Sequence, residues 1–228
     1  MLSAISIIPS APVLVPELAG AAADEVAELR AAMVAAAAAL PAGWIAIGVG
    51  DTDGVFGPDS AGTFAGYGAD VRVRLSPGAA DQPTTLPLCA LVAGWIRAQA
   101  QPDAVAEARV YADGRDTLSA VEIGRRLRAE IDGVGAPTGV LVVADGANTL
   151  TPAAPGGHWP EDVDVQSALD DALAGGDLAA LTRLPEQVTG RVAFGVLAGL
   201  AEPVPRSAKE LYRAAPYGVG YFTGVWQP

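Results

Sequence analysis

Short apolar runs alternating with amphipathic stretches organise the chain. Leu2–Ile8 is a run rich in isoleucine and reads as a buried first strand. It ends at Pro9-Ser10-Ala11-Pro12, where two prolines forbid regular pairing. Residues 21–40 read as a helix, with Asp24, Glu25, Glu28 and Arg30 forming its polar side. Residues 44–49 form a second buried strand that runs into the turn-forming loop Gly50-Asp51-Thr52-Asp53-Gly54. Val71 to Leu75 alternates Val and Arg, the pattern of a strand with one wet face. Residues 86–100 predict a helix, 108–112 a strand, and 117–131 an amphipathic helix. Residues 138–144 predict a central strand that delivers the chain to Asp145-Gly146-Ala147-Asn148. Beyond it, 165–174, 178–183, 192–200 and 207–214 read as helices and 218–225 as a closing strand.

Strands alternating with helices predict an α/β fold with a mixed, mostly parallel sheet covered on both faces. No linker or repeat divides the sequence, so residues 1–228 are expected to form one three-layer domain. In such folds ligands sit beyond the carboxyl ends of the strands. Here those ends are 9–12, 50–54 and 145–150, which are predicted to converge.

Composition narrows the class of partner. A net charge of −12, with scattered basic residues, argues against nucleic acid, whose phosphates need clustered Lys and Arg. Cys89 is the one cysteine, sits in an apolar run, and reads as a buried hydrophobe. Residues 31–50 carry no charged or polar side chain, but Pro41 and Gly43 break the run, so a helix end followed by a strand is expected in place of a membrane span. The apolar start lacks a basic flank and is interrupted by Pro9, Pro12 and Pro16, so a cytoplasmic location is expected.

Three segments carry a resemblance: Pro9-Ser10-Ala11-Pro12-Val13-Leu14-Val15-Pro16-Glu17-Leu18, Ala144-Asp145-Gly146-Ala147-Asn148-Thr149-Leu150-Thr151-Pro152-Ala153-Ala154-Pro155-Gly156, and Ala215-Pro216-Tyr217-Gly218-Val219-Gly220-Tyr221. In order and spacing they resemble the catalytic LigB-type subunit of class III extradiol dioxygenases, and they span nearly the whole chain. The resemblance implies that family's fold. It also implies ferrous iron held by two histidines and a carboxylate, a further histidine as acid/base, and association with a small partner subunit or a second copy.

The chain departs from that pattern at the functional positions. Ser10 stands where the first-strand histidine is expected, Asp51 and Asp53 occupy the loop that should carry another, and Asn148 replaces the acid/base histidine. The one histidine, His158, lies after the Thr-Pro segment and cannot supply two imidazole ligands and a base. No cofactor is therefore expected, although the resemblance implies Fe²⁺.

The residues that remain leave several readings open. Asp51, Asp53 and Asp145 are three oxygen donors suited to Mg²⁺ or Ca²⁺ if they share one cleft. Ser10, His158 and an aspartate are the elements of a hydrolytic triad, without the usual Gly-x-Ser-x-Gly elbow. A metal-free cleft with Ser10, Asn148, His158 and a carboxylate would bind a small aromatic or polar molecule, with Ser10, Asp51, Asp53 and Tyr217 expected to line it and His158, Asn148 and Asp145 as its candidate catalytic groups. The plainer alternatives are that Asp51 and Asp53 are turn residues, that Asn148 shapes a turn, and that His158 is an exposed loop residue. The expected function is a homologue that has lost iron and ring cleavage and binds a small molecule or a partner. The competing expectation is an enzyme with altered chemistry in the same cleft, either a metal-dependent oxidoreductase with carboxylate ligands or a metal-free hydrolase.

Overall fold

A computed structural model describes all residues, 1–228. The chain begins with strand β1 (Leu2–Ile8) and the short helix α1 (Pro16–Ala19), followed by α2 (Ala27–Ala38) and β2 (Gly43–Gly50). Next come β3 (Gly54–Phe56), β4 (Ala61–Thr63), β5 (Arg72–Arg74), α3 (Leu88–Ala100) and β6 (Val105–Ala112). Helix α4 (Thr117–Val134) leads to β7 (Thr138–Val143), then to α5 (Asp162–Gly175), α6 (Leu178–Leu181) and α7 (Arg191–Leu200). Strands β8 (Ser207–Ala214) and β9 (Tyr221–Gln227) close the chain.

The seven-stranded sheet has the order β3-β6-β2-β7-β1-β9-β8. Its central strands β6, β2, β7 and β1 are parallel, β3 and β9 run against them at the two sides, and β8, antiparallel to β9, runs in the same direction as the central strands. The α/β class and the mixed, mostly parallel sheet expected from the sequence are both present. β7 is buried along nearly its whole length, because it has neighbours on both sides and helices on both faces.

Two apolar cores flank the sheet. One joins α2 and α3 to it through Leu29, Met33, Leu91 and Trp95, and the other joins α4, α5 and α7 through Leu127, Leu169, Val196 and Leu197. The crossovers β1 to β2 and β2 to β6 move one way across the sheet, and β6 to β7 moves back. A constant crossover hand therefore puts their helices on opposite faces. On the second face α4 and α7 touch backbone to backbone: a Cβ at Gly124 would lie 2.1 Å from the Val196 carbonyl oxygen, and one at Gly199 would lie 2.0 Å from that of Val121. α4 is capped by Asp116, whose carboxylate accepts the Ser119 N–H at 2.9 Å, and it ends at Gly135, with φ of +74°.

Some expectations need correction. Residues 207–214 form a strand and not a helix, although Ala, Lys, Glu and Leu favour helix locally. The segment pairs with β9 along its length, and its Lys209, Glu210 and Arg213 suit an exposed sheet edge. Residues 20–26 are short turns, so the helix expected over 21–40 begins only at Ala27. The apolar segment 31–50 divides between α2 and β2, and no helix is long and apolar enough to cross a membrane. Cys89 is buried in α3 with its thiol pushed up to about 11 by desolvation, as an inert core cysteine should be.

Candidate functional site

The parallel strands end in register. Ile8 and Gly48 both pair with Val143, and Gly50 pairs with Ala112, so the loops that follow rise from one edge of the sheet. Beyond β1 and β7 lies a cavity of about 500 Å³, a size typical of small-molecule sites. Ser10, Ala11, Pro12 and Val13 form one wall, while Asp145, Asn148 and Pro155 come from the segment after β7. Tyr217, Val219 and Tyr221 enter from the approach to β9, Thr189 from the loop before α7, and Ala22 from the turn before α2. A smaller cavity of about 220 Å³ adjoins it, sharing Ser10, Asp145 and Thr189 and adding Val49, Asp113 and Gly190.

Asp145 sits where the two cavities meet, and the backbone around it is tied down on every side. The Gly146 N–H donates to the Gly220 carbonyl at 2.8 Å, and the Gly220 N–H donates to the Ala147 carbonyl at 2.8 Å. The Gly190 N–H donates to the Asp145 carbonyl at 2.8 Å, and the Thr189 hydroxyl donates to the Gly146 carbonyl at 2.9 Å. Gln166 of α5 completes the clamp. Its Oε1 accepts the Ala147 N–H at 2.8 Å, and its Nε2 donates to Asp170 at 2.8 Å. The Gln166 side chain passes between Gly146 and Gly220, where an added Cβ would lie 2.0 Å and 2.1 Å from it. These glycines of the Asp-Gly and Gly-Val-Gly-Tyr segments thus make room for the glutamine that fixes the loop.

The Asp145 carboxylate has one protein partner: its Oδ1 accepts the Ser10 N–H at 2.7 Å. Burial pushes the carboxyl up to about 7, and the Ser10 bond only partly offsets this. The nearby Tyr221 phenol is buried, makes no hydrogen bond to protein, and is pushed well up by desolvation and then by the Asp145 charge. At the rim the Tyr217 hydroxyl donates to Glu25 at 3.0 Å. The Asn148 carbonyl accepts the Gly156 N–H at 2.9 Å, and its side-chain oxygen packs so closely on Gly156 that a Cβ there would meet it at 2.3 Å.

Of the residues singled out in the sequence, Ser10, Asp145, Asn148 and Tyr217 meet in this cavity. The other three do not join them. Asp53 is exposed, accepts the Ala112 N–H at 2.8 Å and pairs with Arg115. The backbone bond first, and then the arginine, hold its carboxyl below the usual range. It staples the β2–β3 loop to the end of β6, which is the turn role. Asp51 is exposed on the side of Tyr67, whose phenol is raised by burial, then Cys89, then Asp51. His158 is exposed and lines neither cavity, so the Ser10–His158–Asp arrangement is not assembled.

The three aspartates likewise form no common oxygen cage, and no group of three or more His, Cys, Asp or Glu side chains is placed to hold a metal. The iron that the resemblance implies does not fit this donor set. The cavity offers one carboxylate, two hydroxyls, an amide and two phenols, and no imidazole. Two polar lining residues of the larger cavity were not anticipated. Tyr221 lies in the quoted Gly-Val-Gly-Tyr segment, and that position was the available signal. Thr189 arrives only through a tertiary bridge between Ala147 and Val188, which leaves no local trace in sequence.

No family model and no curated protein matches this chain. Among solved structures, the uncharacterized protein JW3007 from Escherichia coli K12 matches over 98% of this chain and 99% of that one, with a TM-score of 0.57 and 8% identity. The likeness is one of fold, extending across both chains from end to end.

Proposed function

We propose that the chain is a LigB-like homologue that binds a small aromatic or polar molecule in the strand-end cavity without ferrous iron. The observation that carries this reading is the position of Asp145. It lies on a rigidly held loop at the floor of a half-apolar cavity, with one oxygen bonded to Ser10 and no protein partner for the other. Val13, Pro12 and Val219 supply apolar walls for a ring or short chain, while Asp145, Asn148, Ser10 and Tyr221 supply hydrogen-bonding groups.

The same aspartate favours a second reading, in which the cleft performs metal-free acid–base chemistry. A carboxyl held near neutrality exchanges protons readily at physiological pH. One experiment separates the two. Saturation-transfer NMR against a panel of small phenols, catechols and hydroxylated heterocycles should find binders whose signal is lost in a Val219→Trp variant that fills the cavity. Recovery of the ligands unchanged after long incubation supports the binding reading, and turnover abolished in Asp145→Asn supports the second. A panel with no binder at all overturns both.

A further inference from the structure

We propose that the cavity at the ends of β1 and β7 selects cationic ligands, organic amines carrying an aromatic or apolar body, and rejects carboxylates and phosphates. This rests on the binding reading above and names the ligand chemistry of that site.

The inference comes from the charges that face the cavity and those that do not. Neither cavity is lined by a lysine or an arginine. The basic side chains on neighbouring loops are engaged elsewhere: Arg115 pairs with Asp53, and Arg191 donates to the Arg115 carbonyl. Every ionisable group that faces Asp145 is acidic or phenolic. Asp113 lies across the smaller cavity, Tyr221 and Tyr217 across the larger, and Glu25 is held at the rim by Tyr217. An anionic ligand would lose its hydration and gain no counter-charge there, a cost of several kcal/mol in a half-apolar site. An ammonium group has the opposite balance. It would pair with the oxygen of Asp145 that the protein leaves free, with phenol rings nearby to receive its charge. The chain's net charge of −12 adds a long-range bias of the same sign. The backbone N–H of Ser10 is already spent on Asp145 and is not available to an anion, and the donors that remain, the Ser10 and Tyr221 hydroxyls and the Asn148 amide, are all uncharged.

The test is a charge series on one scaffold: tyramine, 4-propylphenol and 4-hydroxyphenylacetate, titrated calorimetrically into the full chain at pH 8 and low salt. Tyramine should bind at least tenfold more tightly than 4-hydroxyphenylacetate, and Asp145→Asn should weaken tyramine about tenfold while changing 4-propylphenol less than threefold. The wild-type order stands independently of how the variant folds. An equal or reversed order, or tyramine binding indifferent to Asp145→Asn, overturns the inference and leaves the cavity reading intact. Failure of the whole phenol panel removes both.

Discussion

The Ser10 N–H donates to the Asp145 carboxylate at 2.7 Å, joining the loop after the first strand to the loop after the central strand. That single bond is too weak to offset burial of the carboxyl, which therefore holds its proton up to about pH 7. A carboxyl raised in the folded state contributes stability that is fully present below its unfolded value near 4 and is lost as pH rises through the folded value. The protein should therefore lose stability between about pH 4 and pH 7, by up to about 4 kcal/mol from this group before screening through the cavity is considered. Urea unfolding of wild type and Asp145→Asn across this range checks it. The variant should show a flatter profile and be the more stable protein at pH 8. Asp170, raised to about 6 by burial, will keep a smaller slope of the same sign in the variant.

Gln166 and the two glycines that flank it form one packed unit. Gly146→Ala or Gly220→Ala would drive a methyl group to within about 2 Å of the glutamine, so each should cost about 2–4 kcal/mol. Gln166→Ala leaves the buried Ala147 N–H without its acceptor and should cost about 1–3 kcal/mol alone. Combined with Gly220→Ala, it should cost less than the sum, because the clash is gone. Denaturant midpoints of the single and double variants measure this coupling.

On the opposite face, α4 and α7 meet at Gly124 and Gly199, with backbone where a methyl group would have to go. Backbone cannot yield as a side-chain tip does, so Gly124→Ala and Gly199→Ala should each lower stability by about 3 kcal/mol or more. Gly114→Ala, in open space on a loop, is the control and should change it by less than about 0.5 kcal/mol. Thermal unfolding of the three variants suffices.

His158 is exposed and lies outside the cavity, so His158→Ala should leave both stability and ligand affinity within about 0.5 kcal/mol of wild type. A tenfold loss of affinity would restore it to the site.

The sheet was legible wherever burial imposes a pattern. β1, β2 and β7 are predominantly apolar because both of their faces are covered, and the alternation around Arg72–Arg74 marks a strand with one wet face. β8 was not legible, because an edge strand draws its conformation from its partner and its charged residues suit a helix equally well. The site divides along the same line. Ser10 and Asp145 sit immediately after strands whose ends the pattern locates, and their meeting follows from the parallel register. Asp53 sits equally close to a strand end but turns outward to Arg115, a choice made by a residue 62 positions away. Thr189 reaches the cavity by a bridge that no periodicity records.

The proposed LigB-like reading stands or falls on a strand-end cleft whose donors do not suit iron. Anaerobic calorimetric titration of Fe²⁺ into the full chain tests it most directly. No saturable heat at one ion per chain is expected, in wild type or in Asp145→Asn. Stoichiometric, tight Fe²⁺ binding that disappears in Asp145→Asn would contradict it.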